Sequence, residues 1–526
     1  MCIVCTPGFP HRLAQASIRP KALAAEAVRS SAGMGRRNVL QAGLAMGLAT
    51  LAIGLPGTAR SKDAATDGET LTRLQGSASD PNRRILLKGG TVVTLDGANG
   101  SLPRGDVMIQ GKRIAAVGPD LAVSDAATIV VDATDMIVAP GFVDPHRHSW
   151  EAQLRGVIPD VLMGDYMAAT HRGFAPFYRP RDMYVGNLLT SLGAIDAGIT
   201  CIVDNCHNSR SSAHSDEAIR GLADAGIRAV HASGAPTFGE WDRQWPGDLG
   251  RLKKTFFASD DQLLTLRIYE IGLVESNWKV ARELDIWTTS EGFQLKNWVD
   301  LAAWDGAGAV SDRHCFNHMY GDISEPAWAV IKSAGIKVNI CARSDTQYGL
   351  GAGLSGMQVT LDHGIRPGLS VDNESSYGTD MFTEMHVAYH LQRGLAWNAK
   401  MRGDPHPPAP LDVRDMLEFA TIRGAECAAL PHKIATLTPD KEADIIMVRS
   451  SDINTMPLTN AVATLVAYAN AGNVDTVLIA GNVQKWRGKL TLGSFGGDQE
   501  KVRRMVEESR NYLFERRGMR VDPMGG

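Results

Sequence analysis

The chain has 526 residues, with 54 Lys and Arg against 58 Asp and Glu, a formal charge of −4. Without a basic excess it has no chain-wide field for phosphates, which excludes nucleic-acid binding of that kind. Charged residues at 21% and hydrophobics at 44% describe globular material rather than a disordered or collagen-like chain, and seven cysteines are too few for a disulfide scaffold of this length.

Residues 34–40 read M-G-R-R-N-V-L, an apolar run broken by glycines follows from Val39 to Leu55, and P-G-T-A-R-S comes next. A twin arginine (Arg36, Arg37), a weakly apolar core and a small-residue exit make a twin-arginine export signal. The run falls short of the ~20 apolar residues that span a bilayer. Residues 1–60 are therefore expected to be an N-terminal extension and export signal cleaved near Ala59. That makes the export machinery a partner and the mature protein bacterial, periplasmic or secreted. Met34, directly before the pair, offers a second start.

Residues 61–83 are polar and read as a linker. From Arg84 to 136 the pattern turns to short strands, with a hairpin around Gly111. The same pattern returns over 431–495, in A-D-I-I-M-V-R and V-D-T-V-L-I-A-G-N-V-Q-K-W. Both chain ends thus build one small composite β-sandwich domain, with a larger domain of residues 137–430 inserted between them. That middle part alternates apolar runs with helical stretches such as Met183–Ala197 and Asp216–Ala225. Eight strands are expected: Ile137–Val143, Ile199–Asp204, Arg228–Ser233, Leu264–Glu270, Ile286–Ser290, Val310–Cys315, Ile336–Ile340 and Leu369–Asp372. Eight strand–helix units predict an α/β fold, a (β/α)8 TIM-type barrel. In the tail, 496–526, Val502, Met505, Val506, Tyr512 and Leu513 recur at helical spacing and predict a helix packed on a domain surface.

Barrel chemistry sits at the C-terminal ends of the strands. The first expected strand leads into P-G-F-V-D-P-H-R-H. His146 and His148, two apart, point to one side of an extended strand, which suits a metal-ligand pair. The eighth ends L-S-V-D-N-E, where Asp372 could reach the same centre and take a proton from an activated water. The sixth reads D-R-H-C-F-N-H. His314 is the candidate for polarising a carbonyl or an oxyanion, and His318 reads as a loop histidine. His207 and His231, after strand two and on strand three, are candidate pocket residues more easily read as structural. Arg147 should point away from the ligands, while Arg343 and Asp345 are candidate substrate contacts. Aromatics after strand one (Trp150, Tyr166, Phe174, Phe177, Tyr178), with His171, and Trp241 and Trp245 after strand three, fit a pocket for a flat substrate.

The block P-G-F-V-D-P-H-R-H-S-W, with R-H-C-F-N-H, G-L-S-V-D-N-E and A-D-I-I-M-V-R, resembles the amidohydrolase superfamily. The nearest group is that of cytosine deaminase and the triazine hydrolases, and the resemblance spans about Arg84 to about Leu490. It implies a composite β-domain flanking a metal-bearing barrel. It also implies His146, His148 and Asp372 as ligands of zinc or iron, Asp372 handling protons, and His314 as the strand-six histidine. The family places a metal-binding histidine at the end of strand five, often with a catalytic glutamate three residues later. Here that strand reads L-D-I-W-T-T-S-E-G. Ser290 or Thr289 stands at the expected ligand position, and Glu291 is the one ionisable group nearby and the candidate for the glutamate's role. Strand four offers Glu270 where the binuclear branch has a lysine, a bridging ligand only if it points inward. Three arrangements stay open: a mononuclear site completed by Glu291 or His314, a labile site, and a metal-free pocket.

The reading is an exported metal-dependent hydrolase of a C–N bond in an amide, a lactam or a heterocyclic amine. Its catalytic residues are Asp372, His314 and Glu291, and His146, His148 and Asp372 are the metal ligands. One divalent ion per chain is expected, zinc first, with iron or manganese as alternatives. The partner is a small molecule, aromatic or heterocyclic in kind, and a homo-oligomer is left open. The alternatives are a metal-free or weak-metal isomerase, lyase or decarboxylase on the same fold, and a non-catalytic periplasmic binding protein.

Overall fold

The computed structural model describes residues 57–98, 100–123, 125–292 and 298–524. The twin-arginine segment, Arg36 and Arg37 included, lies outside the described residues. The stretch expected as a linker is helical instead, over Gly57–Gly76. Its polar residues include good helix formers, and Leu71 and Leu74, three apart, share one face. Leu74 is buried in the core of the neighbouring sheet, and Arg73 Nη2 donates to the Ala127 carbonyl at 2.9 Å.

The strands, in chain order, begin with β1 (Arg84–Val92), β2 (Leu102–Gln110), β3 (Arg113–Gly118), β4 (Ile129–Asp132) and β5 (Met136–Pro140). The middle of the chain gives β6 (Phe142–Arg147), β7 (Ile199–Cys206), β8 (Arg228–Ser233), β9 (Leu264–Glu270), β10 (Trp287–Glu291), β11 (His314–Asn317), β12 (Lys337–Ile340) and β13 (Gly368–Leu369). The far end adds β14 (Ile445–Arg449), β15 (Val474–Ile479), β16 (Asn482–Trp486) and β17 (Lys489–Leu490).

Two sheets result. One has nine strands drawn from both chain ends, in the order β17-β16-β15-β14-β5-β1-β2-β3, with β4 also on β1. The doubling at β1 has a local cause. Gly89 takes φ 83°, a conformation glycine adopts without strain, and the strand bulges there against β2. The bulge lets Ile85–Lys88 pair with β4 while Thr91 and Val92 pair with β5, so the sheet bends over its own core of Ile85, Val107, Ile129 and Ile445.

The second sheet is the eight-stranded barrel, β6 through β13 in sequence order. Every neighbouring pair is parallel, and a parallel bridge between Arg147 and Asp372 joins the first strand to the last. Two backbone hydrogen bonds reinforce that closure, His148 N to Asp372 O at 2.8 Å and Asp372 N to His146 O at 3.0 Å. Closure therefore draws the metal-ligand candidates of the two ends of the barrel together. At the opposite end, Arg228 donates to Asp444 (2.8 Å) and Glu442 (2.7 Å), fully buried charges that tie the barrel floor to the sheet.

Two strand expectations need correction. Ile137–Val143 is not one strand. Pro140 and Gly141 divide it, β5 going to the nine-stranded sheet and β6 opening the barrel. The sixth barrel strand starts at His314, not Val310. Ser311 Oγ accepts the backbone N–H of Arg313 at 3.1 Å, a local turn that competes with extended pairing, so β11 runs on to Asn317. The tail is the expected helix, Gln499–Arg517, with Leu513 and Phe514 packed against Trp150, Phe174 and Tyr178 of the loop after β6. The five cysteines among the described residues are buried and free.

Candidate active site

β6 carries the first two ligand candidates to the C-terminal mouth of the barrel. His146 Nε2 lies 3.0 Å and His148 Nε2 3.2 Å from the same oxygen, Asp372 Oδ1. All three side chains are buried. Asp372 takes a left-handed backbone, φ 76°, which Asp tolerates better than most residues, and Ser344 and Asn373 donate to its other oxygen. Burial raises the Asp372 carboxyl, but the hydrogen bonds from His146 and His148 outweigh it and hold it well below the usual range.

The second nitrogens of the two rings decide whether the first are free to ligate. His148 Nδ1 faces the Asn205 carbonyl at 3.4 Å and His207 Nε2 at 3.0 Å. Both can accept an Nδ1 proton; burial opposes charging His148, but Asp372 outweighs it and raises His148 to about 9, so a metal binding there displaces the Nε2 proton. His146 Nδ1 abuts the Asn205 side-chain amide, whose Oδ1 has no partner. Turning that amide over lets Oδ1 accept Nδ1–H and frees His146 Nε2. A tetrahedral ion held at about 2.0–2.1 Å keeps its ligands ~3.3 Å apart. His146, His148 and Asp372 thus fit a divalent ion with little movement.

Other residues fall differently from their expected places. His314 is not at the mouth. It begins β11, its ring turned to the helix layer, where Trp278 lies 4.6 Å and Phe316 4.4 Å away between ring centroids. Its nitrogens bond Thr288 (2.6 Å) and Ser290 (2.9 Å), and burial, then the Arg267 charge, keeps it neutral. The histidine at the end of β11 is His318. Its ring centroid is 5.1 Å from that of His146, Nδ1 lies 2.7 Å from Asp345 Oδ1 and Nε2 3.3 Å from Glu291 Oε2. Burial opposes charging His318, but Cys341 and Asp345 prevail and push its pKa well above the ordinary value. A side chain on Gly356 would collide with the carbonyls of His318 and Met319, which is why a glycine stands under this loop.

On strand five the inward residue at the mouth is Glu291, 3.8 Å from His146 Nε2 and bonded by the Tyr269 hydroxyl at 2.7 Å. Neither Ser290 nor Thr289 can be a ligand. Ser290 faces outward to His314, and Thr289 donates to the Cys315 carbonyl at 2.9 Å, deeper in the barrel.

Glu270 is turned away from the mouth. It accepts from Asn277 and Trp278, both at 2.8 Å, so it bridges no metal pair. Burial pushes its carboxyl up to about 7 against those two hydrogen bonds. The folded protein then binds a proton that the unfolded chain releases near the usual value, so stability falls as pH rises from about 4.5 through about 7. Glu270→Gln, uncharged throughout, is expected to flatten that decline. Its advantage over the parent should grow by up to about 3 kcal/mol between pH 5 and 8, read from denaturant melts at both pH values. Equal slopes would show that Glu270 is not the group responsible.

Of the remaining candidates, His207 joins the site and His231 does not. His231 bonds Asp204 at 2.9 Å on the outer side of the strands. Arg147 turns from the ligands to Asp144 (2.7 Å) and Glu374 (3.1 Å), and Arg343 is spent on Glu384. His171 and His207 stack at 4.8 Å with planes 12° apart, and His207 stacks on Tyr269 at 5.1 Å. Burial, then the His148 charge, lowers His171 to about 3 and His207 well below its usual value, so this flat wall beside the ligands is neutral. Trp150 packs edge-on against both histidines, and Tyr166 donates to Glu151 at 2.8 Å. His318, Tyr269 and Asn205 were missed as site residues. For His318 the signal was the Ser-Asp turn before the strand, which moves its end by two residues.

Comparison with known proteins agrees with this architecture. The amidohydrolase family model matches residues 299–484. The chain is 27% identical over 464 residues to a 5-methylthioadenosine/S-adenosylhomocysteine deaminase of Desulforudis audaxviator, covering 82% of this chain and 99% of that one. It is 24% identical over 432 residues to a 5'-deoxyadenosine deaminase of Methanobrevibacter smithii, covering 77% and 94%. Among solved structures, atrazine chlorohydrolase from Arthrobacter aurescens complexed with zinc superposes with a TM-score of 0.68 at 20% identity, over 81% of this chain and 100% of that one. An adenosine deaminase from Xanthomonas campestris with bound zinc gives 0.68 at 22% identity, over 82% and 99%. Residues 299–484 thus match the amidohydrolase family model, and the chain has the fold of these deaminases and triazine hydrolases.

Proposed function

We infer that this protein hydrolyses a C–N bond, and that its substrate is a flat nitrogen heterocycle carrying an exocyclic amine, released as ammonia. The observation that carries the reading is the convergence of His146 Nε2, His148 Nε2 and Asp372 Oδ1 at the barrel mouth. A divalent metal held there, zinc first with iron or manganese as alternatives, supplies a Lewis acid and an acidified water. Asp372, buried and charged, takes a proton at Oδ1 and returns it to the leaving nitrogen. His318, kept charged by Asp345, donates from Nε2 toward charge developing on the substrate. The neutral stack of His171, His207 and Tyr269 offers a ring a flat face. Relatives named as adenosine-type deaminases support an aminopurine or aminotriazine as the first class to test.

The N-terminal signal supports export by the twin-arginine machinery to the periplasm or beyond, and N-terminal sequencing of the mature protein tests it. For the chemistry, elemental analysis after mild desalting should find about one divalent ion per chain, and His146→Asn should lose metal and ammonia release together. Wild-type protein that takes up no metal would refute the hydrolytic reading. Wild-type protein that binds a heterocycle without releasing ammonia, with affinity nearly unchanged in His146→Asn, would favour the binding-protein alternative.

A further inference from the structure

We propose that Glu291 is the metal ligand contributed by strand five, so that two imidazoles and two carboxylates hold the ion. The inference rests on the metal reading given above and specifies its ligand set. Three observations support it. First, Glu291 is the inward residue at the end of β10, the position from which that strand can reach the centre, and it stands beside His146. Second, the carboxylate is buried, yet its hydrogen bonding is incomplete. Oε1, the oxygen nearest His146, accepts from Tyr269 at 2.7 Å, while Oε2 makes no hydrogen bond and is in ion-pair contact with His318 Nε2 at 3.3 Å. A buried carboxylate is costly to keep without cationic partners; His318 meets Oε2, and an ion beside His146 would meet Oε1. Third, Glu291 Oε1 stands 3.8 Å from His146 Nε2, just outside the tight group that His146, His148 and Asp372 form, so a turn of the glutamate side chain closes the ligand set. Tyr269 and His318 hold the two carboxylate oxygens so that Oε1 is the one turned toward His146.

The charge follows by counting. As ligands, two imidazoles and two carboxylates carry a formal charge that cancels a divalent ion, whereas three imidazoles and one carboxylate would leave a positive centre. Oxygen donors in place of nitrogen also weaken the preference for zinc over harder ions such as Mn²⁺. The site is therefore expected to discriminate poorly between zinc and manganese.

The test is metal binding by the apoprotein, prepared with a chelator and checked for folding by circular dichroism. Zn²⁺ affinity is read by competition with a chromophoric chelator, and Mn²⁺ affinity by paramagnetic resonance. Glu291→Gln is expected to weaken both ions at least ten-fold. Glu291→His is expected to keep zinc and lose manganese, raising the zinc-to-manganese affinity ratio at least ten-fold; it also serves if the glutamine variant does not fold. Parent-like affinities in Glu291→Gln, or an unchanged ratio in Glu291→His, would overturn the proposal while leaving the hydrolytic reading in place. Wild-type apoprotein that binds neither ion would overturn both.

Discussion

Asp372→Asn is expected to lower kcat/KM by about 10³-fold to 10⁴-fold, the upper range for removing a group that both receives and delivers the proton, while leaving the fold intact. The fold survives for a backbone reason. Residue 372 takes φ 76°, and asparagine enters that region almost as readily as aspartate. The main-chain bonds His148 N to Asp372 O and Asp372 N to His146 O need no side chain, so the barrel closure stays. What is lost is the charge at Oδ1, the atom both histidines face at 3.0 and 3.2 Å. Asp372→Ala should add a stability loss of about 1–2 kcal/mol from the left-handed backbone, so the two variants separate chemistry from strain. Ammonia release and a thermal melt on the same samples decide it. Asparagine activity within ten-fold of wild type would remove Asp372 from the proton path.

The second expectation sets two histidines of one motif against each other. His318→Asn should cost about 10²-fold to 10³-fold in kcat, as does loss of a single donor to a developing charge, and the apoprotein should still bind metal. Asparagine is again chosen because His318 takes φ 70°. His314→Leu should leave the kcat of folded protein within about two-fold, but cost about 2–4 kcal/mol of stability, because Thr288 and Ser290 each lose a buried partner. The reverse pattern, with His314→Leu inactive and His318→Asn active, would return the catalytic role to His314 and contradict the geometry at the mouth.

That contrast shows how far the chain could be read unaided. Local sequence specifies patterns with a fixed period or a fixed turn. Two histidines two apart on a strand face one way whatever surrounds them. Short strands with Gly turns at both ends of the chain announce a shared sheet. Alternating strands and helices announce the barrel. These statements depend on spacing along the chain, and the chain carries them.

Which residue ends a barrel strand, and which faces inward, depends on neighbours. Barrel strands are covered on both faces, so their sequences lack the apolar-polar alternation that would mark inside from outside. All four residues of β11 are buried, and nothing in H-C-F-N by itself says which two point in. Pairing supplies the answer. Thr288 opposite His314 and Glu291 opposite Asn317 set the register, sending His314 to the helix layer and leaving His318 at the mouth. The same register turned Ser290 outward and Glu291 inward, which places a carboxylate rather than an imidazole at the mouth end of strand five. The sequence by itself determined the architecture and put His146, His148 and Asp372 at the barrel mouth, where closure brings them together. Tertiary structure alone decided which way His314, His318, Glu270 and Glu291 face, because a one-residue change of register reverses the face of every side chain on a strand.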